Sequence, residues 1–368
     1  MDKSSIHLGK IFGVEVNLHF TWFLIVLLLA WSLAASYFPV QYPDLTKINY
    51  WVLGIIAAVL LFASVLFHEM SHSLTAKYFN IKVDSITLFF FGGVAQLKED
   101  KFTPKKEFWV SIAGPIASLS LAGIFFLVAY LVPSLYFEAI ASYLARLNLI
   151  LGLFNLVPGF PLDGGRIFRA VLWQKTKNLQ KATYIAAETG KAFAIFMIIF
   201  GIAGMLFGGM GLWYVLLGIF LYTLSKETYK QTILKIVLEK VKVKEVVNKK
   251  FKSFSLDTNI SRINIKSLLK YQQDYFPVVK GKKILGVVSY IKLTKFQQFV
   301  KTVKIQKIMI SIKKIKVLGL DEDCYSAVRK IMRQKMGVLP VVDKGNLIGI
   351  LNGNSLVSLM DLESQKKK

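Results

Sequence analysis

The sequence predicts a multi-span α-helical membrane protein with six spans and a short membrane-associated β-hairpin, followed by a soluble α/β unit. Three observations predict it. Apolar runs long enough to cross a bilayer recur through the first 225 residues, and the chain's mean hydropathy is +0.50. Residues 81–97 (IKVDSITLFFFGGVAQL) interrupt that pattern with β-branched and aromatic residues around Gly92-Gly93. From 243 onward the apolar runs shorten to strand length, and FPVVKGKKILG (276–286) returns as LPVVDKGNLIG (339–349).

Residues 6–18 alternate loosely, as a short strand or surface segment does. Leu18 to Phe38 is the first predicted span, ended by Pro39, and Trp51 to Phe79 is the second. Residues 81–97 are too short and too broken for a spanning helix and read as a hairpin or re-entrant strand pair. Phe108 to Val132 is the third span, with Gly114-Pro115 inside it. The fourth, 138–157, runs into NLVPGFPLDGGR (155–166), where prolines and glycines break the helix. An amphipathic basic stretch at 166–182 leads to a fifth span at 183–207 and a sixth at 211–224. The expected division is a membrane domain over 1–225, a linker helix over 226–242 and the soluble unit over 243–368, with repeats at about 243–300 and 307–362. An amphipathic helical stretch (260–271 and 324–336) precedes each strand pair.

The formal net charge is +25. Lys77, Lys82, Lys98, Lys101, Lys105 and Lys106 lie between spans two and three; Arg166, Arg169, Lys175, Lys177 and Lys181 lie between four and five. Loops on the other side carry almost none, Lys47 excepted. The positive-inside rule then makes both termini cytoplasmic, in agreement with six spans. From 243 onward there are 26 Lys+Arg against 9 Asp+Glu, a balance suited to anionic lipid. No motif points to nucleic acid, and none is expected as a partner. The single cysteine, Cys324, excludes an intrachain disulfide and a cysteine-rich zinc site. The N-terminus has no signal-peptide pattern.

The chemistry concentrates in His68-Glu69-Met70-Ser71-His72. Trp51 to Phe67 contains no charged residue, and then two imidazoles and a carboxylate enter the same apolar run. Residues four apart share a helix face, so His68 and His72 can address one metal ion, with Glu69 beside them as a base toward water. Ionisable groups at this depth are costly without a partner. A catalytic zinc usually takes three protein ligands, and the remaining histidines are His7 and His19. A carboxylate is therefore expected as third ligand. Asp163, in the Pro/Gly-rich turn after the fourth span, is the candidate, with capping of the next helix as its other reading. Asn155 could donate to a scissile carbonyl or its oxyanion, or simply pack helices.

HEMSH within a span, followed by FNLVPGFPLDGG, resembles the site-2 protease family of intramembrane zinc metalloproteases. The resemblance covers roughly residues 6–224, including LGKIFGVEVNLHFTW, FFFGGVAQL and SIAGPIASL. It implies one Zn2+ per chain held by His68, His72 and Asp163, with Glu69 as catalytic base activating a zinc-bound water. It also implies substrate or oxyanion contact at Asn155, and Gly92 and Gly93 near the active site, where a strand edge could hold an unwound substrate. The expected activity is hydrolysis of peptide bonds within or near transmembrane segments of single-span membrane proteins, in a prokaryotic plasma membrane.

The C-terminal repeat resembles tandem CBS domains, which implies a homodimer through them and an adenosine nucleotide as ligand. Here the sequence departs from the G-x-x-[ST]-x-x-D pattern. Gly286-Val287-Val288-Ser289 is followed by Lys292 where an Asp is expected, and Gly349-Ile350-Leu351-Asn352 by Ser355. A non-enzymatic transporter or sensor gated by the CBS pair is the competing reading, since broken spans and buried polar groups also mark transporters. Against it, the spans show no two related halves.

Overall fold

The computed structural model describes residues 5–90, 92–97, 102–207, 211–299, 303–334 and 336–353. Two units are resolved by their internal contacts, Met1–Lys230 and Gln231–Lys368.

The first unit begins with a hairpin, β1 (Ser5–Ile11) and β2 (Val14–His19). Phe12 and Gly13 turn it with positive φ (48° and 73°). His19 caps α1 (Phe20–Gln41), its Nδ1 accepting from the Thr21 N–H at 3.4 Å. The first span thus starts two residues later than the apolar run suggested, because Leu18 is the last buried position of β2. It also continues past Pro39. A π-helical turn over Leu33–Tyr37 precedes the proline and accommodates its missing N–H.

Helix α2 (Lys47–Tyr78) is capped by Thr46 and packs Gly54 directly on the Ala30 carbonyl of α1. The strands β3 (Val83–Phe89) and β4 (Gly92–Leu97) follow as the expected hairpin. β3 pairs parallel with β2, which gives a four-stranded sheet of order β1-β2-β3-β4 with β4 at an edge. Val14, Val16, Leu18, Ile86 and Leu88 form its buried face and cluster with Met70 of α2. The sheet is therefore anchored against the turn of helix that carries the histidines.

Helix α3 (Pro104–Leu131) starts with the Thr103 cap and Pro104 at N1, and carries Pro115 within. After α4 (Leu135–Asn155) a tight loop leads to α5 (Asp163–Thr176), then α6 (Leu179–Leu206) and α7 (Gly211–Lys240). Lys177, in the left-handed conformation (φ 54°), ends α5, and Asn178 caps α6. The expected amphipathic stretch 166–182 is thus two helices' worth of chain divided at Lys177. Among the described residues five helices, α1, α2, α3, α4 and α6, are long and apolar enough to cross a bilayer. The sixth expected segment falls on α7, whose apolar part ends at Ser225 before Lys226.

The second unit carries the repeat as a duplicated sheet of order β5-β6-β7-β11-β10-β9, with β8 also on β7. These are β5 (Phe254–Ser255), β6 (Tyr275–Lys280), β7 (Lys283–Ser289), β8 (Ile310–Ser311), β9 (Leu318–Gly319), β10 (Val338–Asp343) and β11 (Asn346–Asn352). The two halves share their register: Pro277 pairs with Val287 and Pro340 with Ile350, and a bulge follows at Val278/Val279 and Val341/Val342. The halves meet where Lys283 pairs with Asn346. Helices α8 (Tyr290–Phe299) and α9 (Cys324–Gln334) flank the sheet. The stretch 260–271 differs from expectation. It is two 3-10 turns, Ile260–Arg262 and Ile265–Tyr271, because Asn259 and Asn264 each cap locally and restart the chain.

Candidate metal centre

The i, i+4 spacing on α2 places His68 and His72 one above the other, with Nε2 atoms 3.2 Å apart. The loop after α4 brings in Asp163 as the first residue of α5. Its Oδ2 lies 3.2 Å from His68 Nε2 and 3.1 Å from His72 Nε2. Among the described residues this is the group of His, Cys, Asp and Glu side chains able to hold a metal ion. His68 is 4% exposed, and the side chains of His72 and Asp163 are 12% and 14% exposed.

The second nitrogen of each imidazole is also held. His72 Nδ1 donates to the Val110 carbonyl at 2.6 Å, which leaves the Nε2 lone pair facing Asp163. His68 Nδ1 lies 2.8 Å from the fully buried Ser118 Oγ. Two ring nitrogens and a carboxylate oxygen thus converge at 3.1–3.2 Å inside an apolar bundle. With both imidazoles neutral, three lone-pair donors this close together in an apolar bundle suit a cation at their centre. The spacing also fits zinc: ligand atoms about 2.0–2.1 Å from a tetrahedral ion stand about 3.3–3.4 Å apart.

Val110, Gly114 and Ser118 follow one face of α3, spaced four apart. A Cβ at Gly114 would collide with Nε2 of both His68 and His72, so the helix backbone lies against the histidine edges. None of the three was singled out as a site residue from the sequence. The available signal was Gly114-Pro115 inside a span, an unusual pair for a helix that only has to cross lipid.

Glu69 projects toward β4, where a Cβ at Gly93 would stand 2.5 Å from Glu69 Cγ. Gly92 lies beside Val65 with φ 121°. The structure therefore brings Gly92 and Gly93 next to the turn of α2 that carries Glu69. Asn155 ends α4, and its Nδ2 donates back to the Leu151 carbonyl at 3.0 Å, so its described bond stays within its own helix. The loop between Asn155 and Asp163 is tightly packed: Gly159 lies on the Gly190 backbone of α6, and the Phe160 N–H donates to the Ala186 carbonyl at 3.2 Å. In the second unit Ser289 caps α8, accepting from the Lys292 N–H at 3.2 Å. Lys98, Lys101 and Ser355 lie outside the described residues.

The family model described as Peptidase family M50 matches residues 56–141 and 133–198, and a CBS domain model matches 305–361. The chain is 31% identical to "Putative zinc metalloprotease sll0528" of Synechocystis sp., over 97% of this chain and 96% of that one. It is 39% identical to "Putative zinc metalloprotease Rip3" of Mycobacterium tuberculosis, over 61% of this chain and 58% of that one. A solved "Site-2 Protease from Methanocaldococcus jannaschii" is 32% identical, covers 61% of this chain and 94% of its own, and superposes with a TM-score of 0.41. The chain belongs to peptidase family M50, the site-2 protease family. It is a membrane protein whose C-terminal part matches a CBS domain model.

Proposed function

We propose that the chain is an intramembrane zinc metalloprotease that hydrolyses peptide bonds within or next to the spans of other membrane proteins. The observation that carries this reading is the convergence of His68 Nε2, His72 Nε2 and Asp163 Oδ2, with Glu69 adjacent, within apolar helices. His68, His72 and Asp163 would hold one Zn2+ per chain. Bound there, zinc supplies Lewis acidity that makes water a nucleophile near neutral pH. Glu69 would accept a proton from the attacking water on its carboxylate and deliver it to the leaving amine. Ser118 and the Val110 carbonyl keep both imidazoles oriented through their Nδ1 atoms.

A helical substrate hides its carbonyls in its own hydrogen bonds, so it has to unwind before cleavage. The β4 edge beside Glu69 offers backbone groups for an extended segment, and Gly92 and Gly93 let that segment approach closely. Asn155 would turn from Leu151 to the scissile carbonyl when substrate is present. In this reading both termini are cytoplasmic and α7 supplies a sixth, short span. The domains are 1–225 and 243–368, joined by a linker helix over 226–242. The CBS pair is a regulatory module capable of pairing with a second copy. Lys292 and Ser355 stand where ribose-binding carboxylates belong, which weighs against adenosine nucleotide as its ligand.

The test is a reconstituted one. Purified chain in lipid vesicles with a single-span model substrate should yield two fragments cut within or beside the span. A zinc chelator should stop the reaction and added zinc restore it. Intact substrate under these conditions, with zinc bound, would refute the reading.

A further inference from the structure

We infer that Glu107 and Arg169 are positioning residues that set where Asp163 stands relative to the histidine pair, and so set the metal affinity of the site. The inference rests on the zinc reading above. Glu107 is 4% exposed, in the first turn of α3. Arg169 of α5 closes on it twice: Nε donates to Oε1 at 2.7 Å, and the Nη2 group donates to the same oxygen. A buried carboxylate with a two-pronged guanidinium is a directional contact, and removing either partner leaves a charge stranded.

The pair's place in the bundle gives it a function. Glu107 lies one turn before Val110, on the helix whose Val110 carbonyl, Gly114 and Ser118 meet the histidines. Arg169 lies six residues after Asp163 on the same short helix. One ion pair therefore fastens the helix that orients the histidines to the helix that delivers the carboxylate.

A third contact extends the clamp to the loop before Asp163. The Arg169 guanidinium lies 5.0 Å from the Phe160 ring centroid. Phe160 is 2% exposed and packs with Ala186 and Ala187 of α6. Arg169 thus holds the chain on both sides of Asp163: the loop through Phe160 and the helix through Glu107. Among the described residues, the contacts of Glu107 and Arg169 are with each other and with Phe160 rather than with the ligand atoms, so each acts through Asp163. An ion pair for which topology alone was the purpose would need no such burial; Lys175 and Lys177, nearby and also basic, are exposed.

The experiment compares full-length wild type with Glu107→Gln, Arg169→Lys and the exchanged pair Glu107→Arg/Arg169→Glu, all purified in detergent. Zinc affinity is read by chelator competition, and the ligand field by the visible spectrum of the Co2+-loaded protein. Arg169→Lys keeps the charge but loses the fork, so it tests the clamp even where Glu107→Gln does not fold. The expected result is a zinc affinity about 10- to 100-fold weaker in Arg169→Lys and in Glu107→Gln. The Co2+ spectrum should move toward that of Asp163→Asn, kcat should fall with KM unchanged, and the exchanged pair should recover part of the affinity. Folded variants that keep wild-type zinc affinity and Co2+ spectrum would overturn the inference while leaving the zinc reading intact. A wild type that binds no zinc, or an Asp163→Asn variant with undiminished affinity, would instead overturn the reading on which it rests.

Discussion

The ring nitrogen Nδ1 of His72 lies 2.6 Å from the main-chain carbonyl of Val110. A carbonyl only accepts, so a hydrogen sits on Nδ1, and in the neutral ring the Nε2 lone pair then faces Asp163. A backbone group on one spanning helix thereby selects the tautomer of a histidine on another. That selection requires α3 to lie close to α2, and Gly114 is what permits it.

Gly114→Ala should therefore disable the site. The added methyl meets both Nε2 atoms, and the helix or the imidazoles must shift. Zinc affinity should drop by about 100-fold or more, the upper end of what losing a histidine-orienting contact costs. Metal analysis after dialysis against a weak chelator measures this. Wild-type zinc retention would show that the packing is looser than the structure has it.

Gly93→Val separates the base from the metal. The larger side chain at β4 presses on Glu69 Cγ and on Leu88 Cδ2, while the histidines and Asp163 lie elsewhere. Zinc content should stay at the wild-type level and kcat should fall by about 100-fold, within the range a displaced general base accounts for. Steady-state kinetics together with metal content decide it. Unchanged kcat would mean that Glu69 is not set by the strand.

In the second unit, burial pushes the Cys324 thiol up to about 11. Folded protein should therefore resist a thiol reagent at pH 8 and react once denaturant opens the unit. The pH dependence has a definite sign. The folded thiol holds its proton above the pH at which an unfolded thiol ionises, so the unit should lose stability as pH rises from about 9 toward 11. Denaturant midpoints followed by thiol labelling at pH 8 and pH 10.5 test this; a higher midpoint at pH 10.5 would contradict it.

Some of this was legible in the sequence and some was not, for physical reasons. Apolar length and the strand-like texture of 81–97 are local signals, and both the long helices and the β3–β4 hairpin followed from them. The His68/His72 pair is a local signal too, because its spacing matches one helical turn. Asp163 could be nominated only as a carboxylate that needs a cation, since a turn's direction depends on the helices around it. The contacts of Val110 and Ser118 with the histidines were illegible, since a carbonyl and a hydroxyl carry no charge signal, and Gly114 was legible only as part of a Gly-Pro pair within a span. Arg169 was legible as one of the charges between two spans but not as the partner of Glu107, 62 residues earlier. Element ends were misplaced where a local cap decided them. His19 starts α1, a π-turn carries it past Pro39, and Asn264 turns an expected helix into a 3-10 run.

The most direct measurement of the central claim is substrate cleavage by Glu69→Gln, with zinc content determined on the same preparation. A carboxamide keeps the shape but takes up no proton. The account predicts wild-type zinc, retained by His68, His72 and Asp163, with cleavage of a single-span substrate reduced at least about 1,000-fold. Cleavage at the wild-type rate by zinc-loaded Glu69→Gln would contradict it.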